Sequence, residues 1–157
     1  MSRPCLVPDA TLPAPPPRIT GSDSADELAR SIWATASALG VRAMEALAAM
    51  AVNRARLLGV SPGHVARDGE LFACRLPFHP LNAAMQAADS RNPSFATALR
   101  ITRRAMNPPS GQTDFSRGAT CFHATGDLPP WAVAANPVAE VSGILFYVFD
   151  PRFSSNA

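Results

Sequence analysis

The sequence predicts an α+β domain, mainly helical with a small antiparallel sheet. Three observations carry this: two long stretches of apolar residues at helical spacing ended by glycine, a third helix announced by an Asn-Pro start, and two late runs rich in aromatic and β-branched residues. With 157 residues, 47% of them hydrophobic, the chain has enough material for one core and too little for two.

Order is expected from Ser24, because Ser24-Ala-Asp-Glu27 has the spacing of a capping box. Leu28, Ile32, Thr35, Ala36 and Leu39 then form an inward stripe, and Gly40 is a natural stop. A second helix, Val41 to Leu58, points Met44, Leu47, Ala48, Ala51, Val52 and Ala55 inward and ends at Gly59. Its alanines permit close helix approach, which makes it the expected central helix. Residues 59–92 read as loops with one short helix near Leu81 to Ala88. Asn92-Pro93 opens a helix that buries Phe95, Leu99, Thr102 and Met106, turns Arg100, Arg103 and Arg104 to solvent, and stops at Asn107-Pro108-Pro109. Ala119 to Ala124 and Ile144 to Tyr147, with an extension towards Phe149, read as strands. The division expected is a Pro-rich arm over 1–23, a domain over 24–153 and a tail over 154–157.

Composition narrows the function. A net charge of +2 argues against a strongly basic nucleic-acid binder, and the apolar stretches are too short for a membrane span. All fourteen basic residues are arginine. The first twenty residues lack a basic segment followed by an apolar one, so no secretory signal is read and a cytoplasmic location is expected unless lysis or another route releases the protein. Pro15-Pro16-Pro17-Arg18 offers a docking sequence for a protein partner. Cys5, Cys74 and Cys121 contain no CxxC pair; free thiols are expected, a Cys74–Cys121 bridge being the alternative. His64, His79 and His123 match no zinc spacing, so neither a metal nor another cofactor is expected.

Several segments, taken in order, resemble the SleB-type cell wall hydrolases. Leu28 to Trp33 resembles that family's opening helix, and Met44 to Ala55, with Asn53-Arg54, its second helix. Phe72-Ala73-Cys74 is similar to its Phe-Ser-Cys turn, and Asn92 to Met106 to the helix before its sheet. Asp114, Gly118-Ala119-Thr120 and His123-Ala124 resemble its Asp-Pro-Thr-x-Gly-Ala-Thr-x-Tyr-His segment; Pro130-Trp131-Ala132 and Phe146-Tyr147 complete a likeness spanning about residues 25 to 148. The resemblance implies a lysozyme-like domain directed at peptidoglycan glycan strands, in the family by a lytic-transglycosylase route. That route needs a carboxylic acid to protonate the glycosidic oxygen.

The family's acid lies in a Gly/Ala-Glu-Ala-Arg-Gly-Glu stretch, and here the corresponding run is Ala34-Thr35-Ala36-Ser37-Ala38-Leu39. Thr35 stands in the place of the glutamate, Ser37 of the arginine and Leu39 of the second acid; Arg75, Cys121 and Phe122 replace the family's Trp, His and Tyr. General acid–base catalysis contributes about 10²- to 10⁴-fold, roughly 3 to 5.5 kcal/mol, and an alcohol does not supply it at neutral pH. The expectation is a glycan-binding relative without its acid, a pseudoenzyme. One alternative is an active hydrolase using a relocated carboxylate, with Glu45 and Glu70 as first candidates; the other is a protein-interaction module. Phe72, Arg75, Phe122, His123, Trp131 and Tyr147 are the expected groove-lining set, since sugar faces pack on aromatic rings.

Overall fold

In the computed structural model, residues 21–148 are described, with side chains from Asp23. The expected arm before residue 21, the tail, and the extension towards Phe149 lie outside the described residues.

The described residues form an α+β fold of five α-helices and a three-stranded antiparallel sheet. α1 (Gly21–Ala36) runs into a 3₁₀ turn, Ser37–Leu39, that breaks at Gly40, where φ is +102°. Leu28, Ala29, Ile32 and Ala36 are fully buried along one stripe of α1. Two expectations fail here. The helix starts at Gly21, so Ser24 is inside it rather than capping it: its buried hydroxyl accepts the Gly63 N–H at 2.7 Å. Leu39 is 44% exposed, because the tighter 3₁₀ turn rotates it off the α-helical stripe.

α2 (Val41–Leu58) is the central helix, with Ala43, Ala46, Leu47, Ala48, Met50 and Ala51 fully buried. Burial on so many sides leaves no wide polar stripe, and the alanines let α1, α3 and α5 approach. Gly59, at φ +66°, closes α2 by donating its N–H to the carbonyls of Ala55 and Arg56.

The segment expected to be loop contains α3 (Pro62–Ala66), started by Ser61, whose hydroxyl accepts the His64 N–H, and by Pro62 at the first helical position. α4 (Asn82–Ala87) is too short to persist alone. It is held by Arg30 of α1, whose Nη1 donates to the carbonyls of Met85, Gln86 and Ala88 at 2.8–2.9 Å while its Nε pairs with Asp26 at 2.7 Å. α5 (Pro93–Met106) starts as expected, the Asn92 side chain accepting the N–H groups of Ser94 and Phe95. Phe95 and Thr102 are buried, Leu99 and Met106 are half-buried, and Arg100, Arg103 and Arg104 are exposed.

The sheet has the order β1-β3-β2. β1 (Cys121–Ala124) and β3 (Ile144–Tyr147) pair with Cys121 opposite Tyr147 and His123 opposite Leu145. Ala119 and Thr120, expected within the first strand, lead into it. β2 (Ala139–Val141) is a strand the sequence reading missed. It joins β3 through Ser142-Gly143, both at positive φ, the two-residue loop whose twist suits a hairpin. Phe146 is fully buried, Ile144 nearly so, and the sheet packs on α2.

Candidate functional site

The last turn of α1, the second half of α2, the 70–81 segment, β1 and the loop after it enclose a cleft of about 960 Å³. β1 is an edge strand, so this side of the sheet borders the cleft directly.

Thr35 reaches the cleft because it lies on the flank of α1, beside the stripe of Ile32 and Ala36; it is half-buried and lines the space. Its Oγ1 is 3.9 Å from Cys74 Sγ, so an alcohol and a thiol lie side by side on this wall. Cys74 and Cys121 are free and buried, and both line the cleft. Burial raises both thiols above their ordinary value, against a weaker opposing pull from neighbours that include Thr35 at Cys74 and Arg54 at Cys121. Both are therefore poor nucleophiles at neutral pH.

β1 contributes Phe122 and His123. The His123 ring is fixed at both nitrogens: Nδ1 lies 2.7 Å from the Ala124 carbonyl oxygen and Nε2 2.8 Å from the Tyr147 hydroxyl. A carbonyl only accepts, so Nδ1 carries the hydrogen and Tyr147 donates to Nε2 in the neutral ring. Trp131, in the 3₁₀ turn Pro130–Ala132, stands edge-on to His123 and Tyr147 at centroid distances of 5.8 and 5.1 Å. Arg54 Nη1 donates to the Thr120 carbonyl at 3.0 Å, tying α2 to the start of β1 at the cleft floor.

Of the expected binding set, Phe122, His123 and Trp131 line this cleft with Thr35. Phe72, Arg75 and Tyr147 do not. Phe72 is fully buried against Phe122, at a centroid distance of 5.5 Å. Arg75 is spent internally: Nη1 meets Glu27 Oε2 at 2.6 Å, Nη2 donates to the Glu27 carbonyl, and Nε donates to Ser31 Oγ. Tyr147 is buried behind His123 and orients it. Of the two expected carboxylates, Glu70 lines the cleft and is exposed, whereas Glu45 is half-buried at a different groove, 3.9 Å from Arg42.

Sequence reasoning passed over Asp127, Leu128 and Arg54 as lining residues. Arg54 was in view within Asn53-Arg54; Asp127 and Leu128 sit in a turn-rich stretch before Pro129-Pro130 with no periodicity to mark them.

A clasp behind the site fixes its β side. Asn53 Nδ2 donates to Asp114 Oδ2 at 3.0 Å and to the Ala119 carbonyl at 3.1 Å, and Asp114 accepts from the Ser116 hydroxyl and the N–H groups of Ser116 and Gly118. Burial works to raise the Asp114 carboxyl, but these donors outweigh it and hold it below the ordinary carboxylate value.

Among the described residues no group of three or more His, Cys, Asp or Glu side chains is gathered to hold a metal ion, and no helix is long and apolar enough to cross a membrane. Comparison with protein-family models, with characterised proteins and with solved structures yields no match for this chain.

Proposed function

We propose that this protein binds peptidoglycan glycan strands in the cleft between α1 and β1, as a relative of the SleB-type cell wall hydrolases that no longer cuts them. The observation that carries the reading is the position of Thr35. The residue standing where the family's acid belongs opens into the same cleft as Phe122, His123 and Trp131, which come from two other parts of the chain. A groove with aromatic and imidazole side chains on one wall suits a sugar, whose apolar faces pack on rings while its hydroxyls take hydrogen bonds. Scission needs more. At position 35 the wall offers a hydroxyl beside a neutral thiol, neither of which protonates a glycosidic oxygen.

The second reading, an active enzyme with a relocated acid, is favoured by Glu70 and Asp127, which line the same cleft. Glu45 drops out as such an acid because it faces another groove.

Incubation of purified sacculi with the protein, followed by sedimentation and muropeptide analysis, separates the readings. Retention on sacculi, reduced by Leu128→Asp at the cleft and accompanied by no released muropeptides, is the expected result. Muropeptide release abolished by Glu70→Gln or Asp127→Asn would establish the relocated acid. Failure of the folded protein to sediment with sacculi would remove the glycan reading altogether.

A further inference from the structure

A second groove, of about 620 Å³, lies between the first half of α2, the second half of α5 and the loop over 109–115. It shares no lining residue with the cleft at Thr35. Its character is set by an asymmetry of charge. Arg100 and Arg104, one helical turn apart, form one wall, and Glu45 of α2 is on the other. Ala49, Ile101, Ala105 and Phe115 supply apolar surface between them.

Among the described residues, neither arginine has an acidic partner. The ion pairs among the described residues engage Arg30, Arg42, Arg54, Arg67, Arg75 and Arg91, and neither Arg100 nor Arg104. Arg100 donates to the nearby Thr97 hydroxyl, at 3.2 Å. Glu45 meets Arg42 loosely, at 3.9 Å.

From this arrangement we propose that the groove is a docking site for a short acidic, partly apolar peptide segment of a partner protein. Its carboxylates pair with Arg100 and Arg104, which present fork-shaped donors suited to bidentate contact. Its apolar side chains cover Ile101 and Ala105, and its backbone N–H groups or a basic residue face Glu45. A uniform polyanion such as polyphosphate or nucleic acid fits less well, because a charge at every unit would set one against Glu45 and leave the apolar floor uncovered.

The test is selection of a displayed library of random twelve-residue peptides on the immobilised full-length protein, followed by fluorescence polarisation with the enriched peptides. Enrichment of acidic–apolar sequences is expected, with affinity falling at least tenfold in the double variant Arg100→Ser/Arg104→Ser. Arg103→Ser is the control: it removes an exposed charge from the same helix but outside the groove, so a much smaller loss is expected. Enriched peptides without acidic residues, binding indifferent to the double variant, an equal loss in Arg103→Ser, or tighter binding of inorganic polyphosphate than of any peptide would each overturn the assignment. All three arginines are exposed, so the variants should keep the fold, which circular dichroism checks.

Discussion

Replacing Thr35 with glutamate tests the central reasoning in a single atom-scale change. The threonine hydroxyl is on Cβ; a glutamate carboxyl is two carbons further out, carrying its oxygens roughly 2.5 Å deeper into the cleft. The site it enters is half-buried, with an uncharged thiol 3.9 Å from the present hydroxyl, and Arg54, on the same cleft, is engaged by the Thr120 carbonyl. Desolvation there favours the protonated acid, the form a general acid needs. The gain expected from restoring such a group is about 10²- to 10⁴-fold, roughly 3 to 5.5 kcal/mol of barrier. Incubation with sacculi and chromatography of the soluble products gives the readout: anhydro-muropeptides from Thr35→Glu, none above background from the wild type or from Thr35→Gln. Should Thr35→Glu fold, sediment with sacculi as the wild type does, and still release nothing, the identification of position 35 as the vacated acid site is refuted.

Three further outcomes follow from the packing. Asp114→Ala removes a carboxylate that gathers Asn53, Ser116 and Gly118, and should cost about 2 to 3 kcal/mol in urea unfolding, with Asp114→Asn costing less. The Glu27 carboxyl, although burial works to raise it, is held below its ordinary value by the guanidinium groups of Arg67 and Arg75. A depressed folded value means that this contribution is complete above the unfolded value, near 4.5, and fades as pH falls through it towards the folded one; Glu27→Gln should therefore flatten the fall in thermal midpoint between about pH 5 and pH 3. In a Cys5→Ser background, Cys74 and Cys121 should react with a disulfide reagent at pH 7.5 at least tenfold more slowly than a free peptide thiol, and at the peptide rate in denaturant; fast labelling of the native protein would contradict their burial.

The long elements were legible because they carry redundant signals. α2 has an apolar repeat and a terminal glycine, and α5 has Asn92 capping it, Pro93 as its first residue and two prolines after. α3 bears the same kind of start, Ser61-Pro62, but its five residues are too few to show a period. β2 is three residues long, and the Ser142-Gly143 turn that pairs it with β3 was its one local sign. Ser24 misled for a related reason: a serine three residues before a glutamate satisfies the capping pattern whether its hydroxyl faces its own helix end or the N–H of Gly63. In the candidate site, the family resemblance singled out Thr35 and His123, the affinity of rings for sugar faces singled out Phe122 and Trp131, and the four line one cleft. Neither signal was enough to tell which aromatic and charged residues are consumed by the interior. Phe72, Tyr147 and Arg75 each have a partner distant in the chain, and nothing local distinguishes a ring that faces a ligand from one that faces Phe122.

Arg30 ties the fate of one helix to another. Three carbonyl contacts from a single guanidinium, to Met85, Gln86 and Ala88, mean that α4, six residues long, has its end secured by a side chain planted 55 positions earlier or more. The cleft wall supplied by the 70–81 segment leads directly into that helix, so its shape is tied to α1 through Arg30. A lysine at position 30, with one ammonium and no planar fork, would loosen this wall without touching a single cleft-lining residue.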